Sequence, residues 1–258
     1  MTDSSSRFAT YEIEHLSYRD IERLFGTRPF LILPVGALEP VGARGGIGEV
    51  NRCTAALARG ISARLEVACA PLLAYGCCVP FMSFAGVAGA KVARAAGFIC
   101  DLLRCWRFQG VRAVVLLDGS SVEGRLGDEI GRRLPGRTPG ILHLRWQVIP
   151  ELGTAVKERV EGIEYGGSEY AVLSMAAYLG ARPRRSADRH TDTLPPEQAW
   201  QTWRKRGADP EKYRKLFPRG SSSEIASRFD PAAGERLFEI VCEALQRKIV
   251  PFFEASHA

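Results

Sequence analysis

Residues 30 to 38 read FLILPVGAL, and this stretch decides the fold. Apolar residues and one proline fill it with no polar residue in alternation, so it reads as a strand buried on both faces rather than one half exposed to water. A Gly-rich loop follows from Glu39 to Gly48, and NRCTAALARGISARL at 51 to 65 then has helical spacing with a polar face. VACAPLLAYG at 67 to 76 reads as a second strand leading into another loop. Upstream, YRDIERLF at 18 to 25 has the spacing of a short helix.

The same alternation runs on downstream. GAKVARAAGFICDLLRCWRFQG at 89 to 110 is a long amphipathic helix, VRAVVLLDG at 111 to 119 a strand, SVEGRLGDEIGRRL at 121 to 134 a helix with an acidic start, and GILHLRWQVI at 140 to 149 a further strand. SEYAVLSMAAYLG at 168 to 180 is a helix closed by Gly180. The final helix spans 230 to 253, with Asp230 as N-cap and Pro231 in its first turn. Strands alternating with helices predict an α/β fold: a single domain over residues 1 to 258, with a mostly parallel sheet flanked by helices on both faces. The Pro-, Arg- and Ser-rich stretch at 181 to 228 has weak periodicity and reads as an irregular excursion.

Composition narrows the function classes. The 258 residues are 46% hydrophobic and 25% charged, which excludes an intrinsically disordered chain. The net charge of +6 is spread from Arg7 to Lys248, a pattern that favours solubility over nucleic-acid binding. No segment reaches the roughly 18 uninterrupted apolar residues that span a bilayer, and the N-terminus has no apolar signal core, so a cytoplasmic location is expected. Seven cysteines without CxxC pairing suit reduced, buried thiols.

In an open α/β sheet, ligands bind outside the C-terminal ends of the strands. Three loops follow strands, at 36 to 50, 75 to 87 and 118 to 124, and right-handed crossovers bring them to one edge. They carry a polar set with Glu39, Asp118 and Ser120 as catalytic candidates. Arg44, Glu49, Ser121, Glu123, Cys77 and Cys78 join them as substrate-binding candidates, with Glu169 and Tyr170 from the later helix. Glu39 or Asp118 is expected to act as general base, with Arg44 as the anion or oxyanion partner. The bland alternatives are that Glu39 braces its loop, that Glu49 and Arg52 form a helix-start pair, and that Ser120 and Ser121 cap the helix beginning near Val122. A Cys77 or Cys78 nucleophile lacks a histidine nearby in sequence.

In order and spacing, PVGALEPVGARGGIGEV, PLLAYGCCVPFMSFAGV and VVLLDGSSVEG resemble three hallmark segments of the creatininase family of amidohydrolases. GGSEYAVLSMAAYL and the C-terminal SSSEIASRFDPAAGERLFEIV also look like that family, so the resemblance runs from about Pro34 to Val241. It implies a three-layer sandwich, a homo-oligomer of hexamer type and a C–N bond substrate. It also implies a dinuclear metal centre held by a Glu, two His and acidic ligands. Here only the Glu persists, as Glu39. Val41, Arg44 and Val50 stand at the His, second His and Asp positions of the first loop, and Phe81 replaces a His in the second. The family's Asn-Gly-His reads Asp118-Gly119-Ser120, with Val122 at the following ligand position, and Ser168 replaces the His of the late helix.

Such a donor set is too poor for two divalent ions, so no metal and no cofactor are expected. The reading is a metal-independent biosynthetic or catabolic enzyme acting on an amide, cyclic amide or amidine bond of a small polar metabolite. One alternative is a non-catalytic pseudoenzyme serving as a structural or regulatory subunit. The other is a metal-dependent amidohydrolase with replaced ligands.

Overall fold

The computed structural model describes residues 10–42, 44–121, 125–134, 139–160, 167–182, 209–218, 220 and 229–257. Four parallel strands form its sheet: β1 (Phe30–Val35), β2 (Ala68–Cys69), β3 (Ala113–Asp118) and β4 (Gly140–Arg145), in the spatial order β2-β1-β3-β4. The helices are α1 (Tyr18–Thr27), α2 (Glu49–Leu65), α3 (Val92–Phe108), α4 (Leu126–Arg133), α5 (Pro150–Lys157), α6 (Gly167–Tyr178), α7 (Pro210–Leu216) and α8 (Pro231–His257). The sheet is parallel and helices cover both of its faces, as the buried apolar runs demand.

Side-chain alternation sorts the core into two layers. Phe30 and Ile32 of β1 and Ala113, Val115 and Leu117 of β3 pack with α2, α5, α6 and α8. Leu31, Leu33, Val114 and Leu116 face the other way, against α1, α3 and α4. Where α6 and α8 cross, a Cβ on Gly234 would lie 2.0 Å from the carbonyl oxygen of Ser174, so only glycine permits this approach. Asp230 caps α8 as expected, its Oδ1 accepting from Ala232 N–H at 2.9 Å.

The second strand is much shorter than the sequence suggests. Ala70 N–H donates to the Ile32 carbonyl at 2.9 Å, and the next bond of a parallel ladder needs the N–H of residue 34. Pro34 has none, so β2 stops at Cys69 and the chain rejoins β1 only at the Val35–Leu73 bridge. α4 begins at Leu126 with Arg125 at its N-cap, so Ser120 and Ser121 do not cap it, which corrects that expectation. Within the expected excursion, residues 183–208 and 221–228 lie outside the described residues, whereas 210 to 216 form α7, a helix the sequence reading did not foresee. Asp209 caps it through Glu211 and Lys212 N–H, and its Tyr213 packs edge-on against Phe81 at 4.8 Å. Among the described residues no helix is long and apolar enough to cross a membrane.

Candidate functional site at the C-terminal edge of the sheet

The loops after β1 and β3 meet at the carboxyl edge of the sheet, and the end of β4 holds them in place. Glu39 is 3% exposed. Its Oε1 accepts the Ser121 backbone N–H at 3.0 Å and its Oε2 accepts from Gln147 Nε2 at 3.4 Å. Burial dominates its ionisation and raises the pKa to about 7, with the Asp118 charge pushing in the same direction and the Ser121 and Gln147 hydrogen bonds opposing. Asp118, also buried, accepts Ser120 N–H on Oδ1 at 2.7 Å and meets His143 Nε2 on Oδ2 at 2.9 Å.

Residues 143, 145 and 147 grip the loop at 119 to 121 in sequence. His143 reaches it through Asp118. Arg145 Nη2 donates to the carbonyls of Ser121 at 2.9 Å and Ser120 at 3.4 Å. Gln147 Nε2 donates to the Gly119 carbonyl at 2.5 Å as well as to Glu39. The second loop is tied in by Ser120 Oγ, which donates to the Cys77 carbonyl at 3.2 Å. On the opposite side of the loop, Trp146 Nε1–H donates to Thr54 Oγ1 at 2.9 Å, and the Thr54 hydroxyl donates to the Val50 carbonyl at 2.8 Å.

Glu39, Asp118, Ser120, Ser121 and Cys77 therefore share one bonded network, and the charge of Glu39 reaches Cys78. Burial pushes the Cys78 thiol up to about 11, so it is protonated at neutral pH and is a poor nucleophile. The remaining candidates make other contacts. The Arg44 guanidinium lies over the Phe229 ring at 5.1 Å. Glu49 pairs with Arg52 at 3.1 Å in the first turn of α2. Tyr170 is buried in the core beside α2 and α8. Burial, followed by the charges of Glu169 and Glu39, raises the phenol of Tyr213 on α7. Glu123 lies outside the described residues.

Sequence reasoning missed His143, Arg145 and Gln147. Their signal was present in HLRWQ at 143 to 147, where a polar residue recurs at every second position of a run otherwise read only as a strand.

A family model described as creatininase, creatinine amidohydrolase, matches residues 14–249, and the chain belongs to this family. Among solved structures it is similar to a creatinine amidohydrolase (creatininase), with 20% identity, a TM-score of 0.74 and coverage of 95% of this chain and 99% of that one. A mutant creatininase of the Zn-Zn type gives 18% identity and a TM-score of 0.72, with 95% and 99% covered. A putative creatinine amidohydrolase from Bacteroides fragilis gives 16% and 0.64, with 96% of each chain covered. No curated protein matches significantly.

Among the described residues, the donor set at the sheet edge does not fit a dinuclear centre. Val41 and Val50 are core residues, and both oxygens of Glu39 and of Asp118 already accept hydrogen bonds. Among the described residues, three potential ligands converge only at Glu12, Glu14 and His15, near the N-terminus and away from this edge.

Proposed function

We propose that this creatininase-family chain is a metal-independent enzyme that acts on a C–N bond of a small polar metabolite, with an amide, cyclic amide or amidine as the reacting group. The observation that carries the reading is the Glu39 carboxyl, buried, hydrogen-bonded and raised to about 7, beside a second carboxylate that is differently partnered. Two carboxyl groups set in such different surroundings suit division into acid and base. In hydrolysis, Asp118 takes a proton from the attacking water as oxygen bonds to the carbonyl carbon. Protonated Glu39 gives its proton to the departing nitrogen as the C–N bond breaks, and proton transfer from Asp118 to Glu39 resets the pair. Ser120 fixes the loop that separates the two carboxyls through its bond to Cys77.

The reading extends to a cytoplasmic homo-oligomer with no nucleic-acid partner and no cofactor. The pseudoenzyme alternative draws on a different observation: every oxygen of Glu39 and Asp118 is already satisfied within the protein. A panel of small amides, cyclic amides and amidines, assayed by released amine or by mass, separates the two. Turnover by the native chain that is abolished in Glu39→Gln, with the melting temperature changed by only a few degrees, supports the enzyme. Loss of stability with no turnover from either protein leaves the scaffold.

A further inference from the structure

Both carboxyls of the site are buried, Glu39 at 3% and Asp118 at 2% exposure, so a substrate reaches them only if part of their cover moves aside. The loop at 119 to 121 is not that part, because Glu39, Arg145 and Gln147 all hold it by hydrogen bonds. α7 is held differently. It has seven residues, too few to persist as a helix without tertiary support, and it packs on the turn at Val79–Phe81. Tyr213 and, just past the helix, Phe217 are buried, whereas Glu211, Lys212, Arg214 and Lys215 are exposed. Its ties run to the loops that carry the site. Tyr213 meets the Phe81 ring edge-on at 4.8 Å and the Phe84 ring at 6.1 Å. Ser83 Oγ donates to the Pro210 carbonyl at 2.8 Å, and Arg214 donates to the Ser83 carbonyl while lying over Phe84 at 5.5 Å. Beyond the helix the Gly220 carbonyl accepts from Gly42 N–H at 3.4 Å, and a Cβ on Gly220 would lie 2.4 Å from Pro40 Cβ. Pro40 adjoins Glu39 in the chain, and the charge of Glu39 reaches the Tyr213 phenol.

We infer that α7, with Gly220 beyond it, is a lid over Glu39, latched by the Tyr213 ring against Phe81, which swings off the loops at 40 to 42 and 79 to 84 to admit a small polar substrate and then closes over it. The opening is a local event. It withdraws two aromatic rings and releases the Ser83–Pro210, Arg214–Ser83 and Gly42–Gly220 bonds, and every freed group can turn to water. The sheet, α2, α6 and α8 keep their contacts throughout, so the opening stands below global unfolding in free energy. Closure returns the rings to their places, which excludes water from an acid–base pair that works only when desolvated. The outward face of α7 is charged, so the lid tolerates solvent in either position. The inference rests on the catalytic reading for its purpose, but the opening itself is measurable without substrate.

The test pairs amide hydrogen exchange of the full-length protein, read by mass spectrometry, with labelling of the Glu39 carboxyl by a water-soluble carbodiimide and glycinamide at pH 6, where Glu39 carries its proton. In wild type the peptide covering 209 to 218 should exchange at least about tenfold faster than those of α2 and α8, and Glu39 should label at the rate that this opening allows. Tyr213→Ala should raise both rates together by about tenfold or more and keep them ahead of α2 and α8. Arg214→Ala, which removes only the outer ties, should raise both a few-fold, and it decides the matter should Tyr213→Ala fail to fold. Protection of α7 equal to that of α2 and α8 overturns the inference. So does Glu39 labelling that ignores both variants, or that follows the exchange of α2 and α8 instead of α7. A lid that opens as expected in a chain that turns over no amide removes the catalytic reading alone. Turnover in a chain whose α7 opens only on global unfolding removes the lid alone.

Discussion

Glu39 Oε1 and the backbone N–H of Ser121 meet at 3.0 Å across 82 positions of sequence, and this bond joins the loop after β1 to the loop after β3. It stabilises the carboxylate, yet burial outweighs it and the group titrates at about 7 instead of 4.5. The folded protein therefore binds more protons than the unfolded chain between these two values. Stability from this group is fully present below about 4.5 and is lost as pH rises through 7. The loss amounts to about 3 kcal/mol, an order-of-magnitude figure. Gln cannot ionise, so Glu39→Gln should be destabilised relative to wild type at pH 5 and should close or reverse that gap at pH 8. Urea unfolding of both proteins at the two pH values checks this, and a gap independent of pH would remove the raised pKa.

Elemental analysis tests the donor set. Well under one equivalent of zinc or manganese per chain is expected, because Val41, Val50 and Ser120 offer no ligand of the type such ions require. Stoichiometric metal that survives dialysis and is lost in Glu39→Ala would restore a metallohydrolase.

What the sequence made legible follows from how far each signal reaches. Doubly buried strands and amphipathic helices are local patterns, so the strands at 30 to 35 and 113 to 118 and the helices at 18 to 27, 49 to 65 and 167 to 178 were readable within a residue or two, whereas the short helices at 150 to 157 and 210 to 216 were not foreseen. The truncation of β2 was not, because the cause, Pro34, sits on its neighbour and acts through a missing donor. The site was half legible for a similar reason. Glu39, Asp118 and Ser120 stand at motif positions after strands. His143, Arg145 and Gln147 matter only because β4 lies beside β3 in register, a pairing that no local pattern announces. Arg44 and Glu49 lay on the correct loop, but the nearby Phe229 and Arg52 take up their side chains.

The family resemblance implies self-association, and the helices at 89 to 110 and 230 to 253 carry the broadest apolar faces. The second of these faces is consumed inside the subunit, where Leu237, Val241, Leu245 and Ile249 are fully buried. The first leaves Phe98 56% and Phe108 95% exposed. A homo-oligomer, a hexamer by family resemblance, should therefore depend on α3. Light scattering should give a multiple of 28.3 kDa for wild type and a lower mass for Phe98→Asp with Phe108→Asp. A wild-type monomer at micromolar concentration would refute this expectation.

Gly119 is where the loop after β3 passes closest to α2. A Cβ there would meet Thr54 Oγ1 at 2.3 Å, Val50 Cγ1 at 3.0 Å and Trp146 Nε1 at 3.3 Å. Thr54 cannot yield freely, because its hydroxyl accepts from Trp146 and donates to the Val50 carbonyl. Nor can the backbone of residue 119 shift, since its N–H donates to the Val35 carbonyl at 2.8 Å and its carbonyl accepts from Gln147. Gly119→Ala should thus cost about 2 to 4 kcal/mol, combining overpacking with one broken buried hydrogen bond. Thr54→Ala alone should cost about 1 to 3 kcal/mol by leaving the Trp146 N–H unsatisfied. The two changes together should cost less than their sum, because removing Oγ1 clears the space that the new methyl needs. A double-mutant cycle by chemical denaturation, with Trp fluorescence reporting on Trp146, reads the coupling directly. Strict additivity would mean that the loop relaxes away from α2, and would remove the close approach as the reason for glycine at this position.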